Sequence, residues 1–178
     1  MNSSLQLRMT IYASLLAALT AAGAYLSIPI GPVPIVLQNM FVLLSGLLLG
    51  SRWGLASVGV YILAGAFGLP VFAGGLGGIS RIAGPTGGYL LGYLPAVYAI
   101  GLITEKAKKN LFFDVIAMVC GCSIIYACGV TWLKVLTGMT WSKTLMVGMY
   151  PFVIGDALKI AAAAAIARGL RPVILKNR

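Results

Sequence analysis

Asp156 and Lys159 stand three residues apart in PFVIGDALKIAAAAAIA (151–167), an otherwise apolar run rich in alanine. On a helix that spacing sets a carboxylate and an ammonium side by side on one face. Acids are rare in this chain, which has three Asp and Glu in 178 residues against 13 Lys and Arg. A charge near the centre of a bilayer costs about 2.5–3.5 kcal/mol on insertion scales, so both groups must turn inward. Two chemistries suit such a pair. It can be an internal salt bridge in which each charge offsets the other, or a site shared with a polar ligand. In the second case the ammonium takes an anionic group and the carboxylate takes N–H donors. A ligand site also requires further polar groups converging on one cavity, and Gln38, Asn39, Thr86 and Tyr89 are available near helix ends. The other two acids have simpler readings. Asp114 opens an apolar segment, where an acid complements the helix dipole, and Glu105 falls in the solvated charge run TEKAKKN.

Covalent chemistry finds little material. The chain has no histidine, which excludes a Ser/His hydrolase. Cys120, Cys122 and Cys128 share one apolar run without a nearby carboxylate and read as small buried hydrophobes rather than metal ligands. Gly74, Gly75, Gly77 and Gly78 resemble a phosphate loop only superficially, because no G-K-[ST] follows and the G-x-G lacks its third glycine. The expectation is a protein that is no enzyme and holds no metal or cofactor. The net charge of +10 is scattered through short gaps, with no basic stripe interleaved with aromatics, so nucleic acid is not the expected partner.

The elements that position the pair are membrane helices. Sixty per cent of the residues are hydrophobic, 9% are charged, and the mean hydropathy is +1.00. A spanning helix needs about 20 apolar residues, so the chain has room for about six spans and little else. The apolar runs give segments at about 9–27, 35–50, 53–68, 86–104, 111–136 and 145–167. The expected fold is an all-α integral membrane protein, one compact domain (1–178) of six transmembrane helices with a glycine-rich extracellular loop. Charge asymmetry supplies the orientation. Arg8, Arg52, Lys106, Lys108, Lys109, Arg168, Arg171, Lys176 and Arg178 fall on one side, and Arg81, Lys134 and Lys143 on the other. The richer side is cytoplasmic by the positive-inside rule, which places both termini there.

Two further features organise the bundle. The stretch 68–89 holds eight glycines and two prolines among apolar residues. Irregular backbone beside a membrane needs protein cover or a cavity, so this is an ordered loop, either a lid over a ligand or a tight outer connection with no ligand. Small residues recur every fourth position in the first segment as Ala13, Ala17 and Ala21, and as Ser14, Ala18 and Ala22. Such rows let another helix approach closely in lipid. Gly46, Gly50 and Gly54, like Gly84, Gly88 and Gly92, repeat the spacing and read as internal packing.

IPIGPVPIVLQ (28–38), GLPVFAGGLGG (68–78), GPTGGYLLGY (84–93) and PFVIGDALK (151–159) together resemble, in order and spacing, the BioY family. These are the biotin-binding S components of energy-coupling factor (ECF) vitamin transporters. The resemblance implies a six-helix protein of the cytoplasmic membrane that captures biotin from outside. Its partners would be a transmembrane coupling subunit and two ATP-binding subunits, with ATP bound only on the latter. It further implies that Asp156 and Lys159 contact biotin beneath a loop through Gly74, Gly75 and Gly78. The coupling subunit would dock on the first helix at Ala13, Ser14, Ala17, Ala18 and Ala21. Two polar positions found in some relatives are Leu76 and Leu90 here, which leaves Arg81 as a replacement cation. The chemistry of biotin suits the residues: Lys159 or Arg81 for its carboxylate, Asp156 for its ureido N–H groups, and Phe72, Tyr89 or Trp53 as an aromatic wall. Two rival readings are an autonomous proton-coupled transporter with Asp156 as proton carrier, and a structural membrane protein with an internal ion pair. No inverted repeat is evident, which weighs against the first.

Overall fold

The structure is a computed structural model that describes residues 3–107 and 110–175. Lys108, Lys109, Lys176 and Arg178 of the charge pattern lie outside the described residues. The elements in chain order are α1 (Ser3–Tyr25), β1 (Ser27–Ile28), β2 (Ile35–Val36), α2 (Gln38–Ala66), α3 (Ile79–Ala83), α4 (Gly87–Lys106), α5 (Leu111–Thr137), α6 (Trp141–Gly148) and α7 (Tyr150–Leu175). α1, α2, α4, α5 and the run Trp141–Ile174 are long and apolar enough to cross a membrane.

α2 is two antiparallel arms, 38–49 and 51–66, reversed at Gly50. Gly50 has φ 82° and ψ −172°, a backbone conformation open to glycine and closed to residues with a Cβ. The reversal is proved by distance. Tyr61 donates its hydroxyl to Gln38 Oε1 at 3.1 Å across 23 residues, whereas a straight helix would separate them by about 34 Å. The sequence break expected at 51–53 therefore falls on Gly50, and the two segments it divides are the two arms. Glu105, expected in a solvated charge run, closes this turn instead: it accepts from the Ser51 amide at 2.7 Å and from the Ser51 hydroxyl at 3.0 and 3.1 Å. It supplies an acceptor to the orphan N–H groups at the start of the second arm.

The hairpin has a consequence for function. The first arm spans only about 18 Å, well short of the roughly 30 Å hydrocarbon core. Its far end is flush with α4, since a Cβ on Gly101 would meet the Ser51 amide. The missing length therefore falls at the other end, where Gln38 sits level with Tyr93, six residues inside α4. The space left there is roofed by the β1–β2 ribbon and the 67–86 loop.

Four of the six glycines on the expected packing rows do let helices close on one another: Gly46 abuts Ile100, Gly54 the Ser45 carbonyl, Gly88 Trp132 and Gly92 Cys128, whereas Gly50 makes the α2 reversal and Gly84 ends α3. The three cysteines are unpaired thiols. Asp114 does more than complement a dipole, because Arg171 grips it with two bonds of 2.9 Å and so joins the start of α5 to the end of α7. The last expected segment, 145–167, is interrupted at Met149, where φ −135° and ψ −59° separate α6 from α7.

The small-residue rows of α1 divide. Ala13 and Ala17 are buried inside the chain, and Ser57 donates its hydroxyl to the Ala13 carbonyl at 2.8 Å. Both were expected on a docking face; they instead pack α1 onto α2. Ala21 is half-buried against the same core, whereas Ser14, Ala18 and Ala22 are exposed.

Candidate functional site

A cavity of about 710 Å³ opens at the end of the bundle roofed by the loops, opposite the Gly50 turn. Its floor is built by helix faces. Asp156 and Lys159 project from the second and third turns of α7, Asn39 from the first turn of α2, and Tyr126 from the middle of α5. Asp156 joins all of them. Its Oδ1 accepts from Asn39 Nδ2 at 2.7 Å and from Lys159 Nζ at 2.9 Å, and its Oδ2 accepts from the Tyr126 hydroxyl. The Asp156 and Lys159 side chains retain 10% and 11% of their exposure, so the pair is largely shielded from water. Such a pair is stable only when hydrogen bonds complete its coordination, which Asn39 and Tyr126 do here. Because the Asn39 amide turns its N–H group to the carboxylate, its Oδ1 is left buried without a partner.

A second polar chain stiffens the wall. Gln38 donates to the Tyr93 hydroxyl at 2.8 Å and accepts from Tyr61, tying both arms of α2 to α4. Tyr89 lines the cavity with its ring while its hydroxyl donates to the Gly148 carbonyl at 2.7 Å. Phe72 is buried at 3% exposure, edge-on to Tyr61 with ring centroids 5.6 Å apart.

The roof is an ordered loop. Gly74 and Gly75 have φ of 74° and 72°, and together they reverse the chain so that the Phe72 amide reaches the Leu76 carbonyl at 2.8 Å. The Gly74 amide bonds the Ala24 carbonyl at 3.3 Å, and the Tyr25 hydroxyl bonds the Pro70 carbonyl at 2.5 Å, docking the loop on the end of α1.

Of the residues singled out in the sequence, Gln38, Phe72, Gly74, Arg81, Thr86, Tyr89, Asp156 and Lys159 line this one cavity. Gly75 and Gly78 do not; they shape the loop behind it. Trp53, considered for the aromatic wall, stands beside the Gly50 turn at the opposite end. Sequence reasoning missed Tyr93 and Tyr126. Their signal was a hydroxyl-bearing ring inside an apolar run, which single-sequence patterns do not separate from an ordinary core tyrosine. Among the described residues no three Cys, Asp or Glu side chains come together as a metal site.

The sequence matches the BioY family model over residues 1–176. The chain belongs to the BioY family. It is 44% identical over 165 residues to the "Biotin transporter BioY" of Thermotoga maritima, covering 93% of this chain and 96% of that one. It is 40% identical over 158 residues to the "Probable biotin transporter BioY" of Pyrococcus horikoshii, covering 89% and 93%. Its fold is similar to a crystal structure of the S component for biotin from an ECF-type ABC transporter, with TM-score 0.90, 32% identity, and 96% and 94% of the two chains covered. The family resemblance and the expected all-helical fold are thus both met, in a multi-pass membrane protein.

Proposed function

We propose that this chain captures biotin as the substrate-binding subunit of an ECF-type transporter. The observation that carries the reading is the cavity itself, an apolar chamber with one polar cluster at its floor and a docked loop as its roof. Its size and mixed lining suit a small amphipathic solute. Asp156 and Lys159 form a compact acceptor and donor set for a ureido group, and Phe72, Tyr89 and Tyr93 bound the apolar part of the chamber. In this reading uptake is energised by a transmembrane coupling subunit and two ATP-binding subunits, which fits the lack of a nucleotide-binding motif in this sequence. The chain makes and breaks no covalent bond in this scheme.

The chain lies in the cytoplasmic membrane with both termini inside and the cavity facing out. The support is charge placement: Arg8, Arg52, Lys106, Arg168 and Arg171 stand at the Gly50 end of the bundle, and Arg81, Lys134 and Lys143 at the cavity end. The coupling subunit docks on the exposed row Ser14, Ala18 and Ala22, since the neighbouring row is already occupied by α2. The test is calorimetric titration of biotin into the purified chain in detergent. Saturable one-to-one binding is expected, and its absence from a well-folded sample overturns the proposal.

A further inference from the structure

Among the described residues three charged side chains line the cavity: Asp156, Lys159 and Arg81. Asp156 and Lys159 are paired at 2.9 Å, and both oxygens of Asp156 already accept hydrogen bonds, so the floor carries no net charge. Arg81 belongs to neither ion pair found among the described residues, and its side chain makes no hydrogen bond there. The cavity as a whole is therefore cationic by one charge, and that charge is at the mouth, where Arg81 is exposed.

The position of Arg81 is set by the fold. α3, which carries it, is held at one end by the Gly78 amide bonding the Gly65 carbonyl at 2.7 Å. At the other end the Trp132 indole N–H bonds the Gly84 carbonyl at 2.9 Å. Two spanning helices thus fix the backbone around a cation whose side chain has no structural task. The hydroxyl-bearing residues Ser80 and Thr86 line the same cavity, and the Thr86 hydroxyl does not cap α4. This arrangement is matched by a ligand with a neutral, hydrogen-bonding ring and a single anionic tail.

We infer that Arg81 is the specificity-determining cation of the site, pairing with the ligand's carboxylate at the mouth while the Asp156 cluster holds the ring at the floor. The inference deepens the biotin reading and rests on it. It fixes the direction of the ligand: ring inward, carboxylate outward. Lys159 does not take this role, because its own carboxylate partner is at contact distance.

The test compares biotin with biotinamide, in which a neutral primary amide replaces the carboxylate, by calorimetry on wild type, Arg81→Gln, Arg81→Lys and Lys159→Met. A charge-assisted bond at a partly exposed site gives wild type a preference for the acid of about 10-fold or more. In Arg81→Gln that preference falls to about twofold or less, and in Arg81→Lys much of it remains. Raising the salt concentration weakens biotin binding in wild type and has less effect in Arg81→Gln. Three results overturn the inference while leaving the biotin reading intact: wild type binds acid and amide equally, Arg81→Gln weakens both ligands alike, or the preference survives in Arg81→Gln and vanishes in Lys159→Met. Wild type binding neither ligand overturns the biotin reading and the inference with it.

Discussion

Replacing Asp156 and Lys159 together by Asn and Met separates a ligand site from internal glue. In Lys159→Met alone, the Asp156 carboxylate loses its ammonium but keeps Asn39 and Tyr126 as donors. Breaking a buried pair costs about 3–5 kcal/mol when one charge is stranded. With two donors retained and about a tenth of each side chain still exposed, the expected cost is nearer 2 kcal/mol. Asp156→Asn strands the ammonium, and its cost is similar. The double variant strands neither charge, so its stability returns to within about 1 kcal/mol of wild type, a coupling of about 3 kcal/mol in the cycle. Binding follows a different course. The site loses both charge-assisted contacts, so biotin affinity falls by about 100-fold or more in the double variant despite its recovered fold. Melting curves in detergent report the first quantity and calorimetry the second. A stable double variant that binds biotin as wild type does would show that the pair is only structural, and the functional reading of the floor would fall.

Four further outcomes are expected. Tyr126→Phe removes one donor from the shielded Asp156 carboxylate, weakens biotin binding by about tenfold in calorimetry and lowers stability by about 1–3 kcal/mol in thermal melts. Glu105→Gln loosens the cap on the second arm of α2 and lowers stability by about 1 kcal/mol in thermal melts, while biotin affinity stays at the wild-type value because the cap is at the far end of the bundle. Gly50→Ala puts a Cβ 2.3 Å from Glu105 Oε1 in a backbone region closed to alanine, so the variant melts lower by at least the about 1–3 kcal/mol of such strain. Arg171→Met leaves Asp114 buried without its bidentate partner and costs about 3–5 kcal/mol, and adding Asp114→Asn recovers most of it in the same melts.

Much of this fold is legible in the sequence because lipid imposes strict rules on apolar length and charge. Segment positions, the ordered glycine loop and the inward turn of Asp156 and Lys159 all follow from those rules. What is not legible is set by tertiary geometry. The break between the second and third segments is visible, but only the φ of Gly50 makes it a complete reversal rather than a kink. The two small-residue rows of α1 are equivalent by spacing, and only the position of α2 decides that Ala13 and Ala17 are covered while Ser14 and Ala18 are not. Tyr126 is one ring in a 27-residue apolar helix, and its role depends on α7 bringing Asp156 to it.

The three acids show how the two ends of the bundle are given different duties. Glu105 closes the α2 hairpin and Asp114 joins α5 to α7, and both bonds belong to the end away from the cavity. Fixing the helices there frees the cavity end from the need to be tightly packed. That end is instead closed by the two-stranded β1–β2 ribbon, the short α3 and the glycine loop, which is tied to the spanning helices by the Gly74–Ala24 and Gly78–Gly65 amide bonds and by the Tyr25 and Trp132 side chains. Asp156, the one acid at that end, holds Asn39, Tyr126 and Lys159 from three different helices in register beneath the roof. The same asymmetry gives a reason for a carboxylate beside a lysine in an alanine-rich helix: it orders the polar floor of a cavity in which the Asp156 and Lys159 side chains keep only 10% and 11% of their exposure.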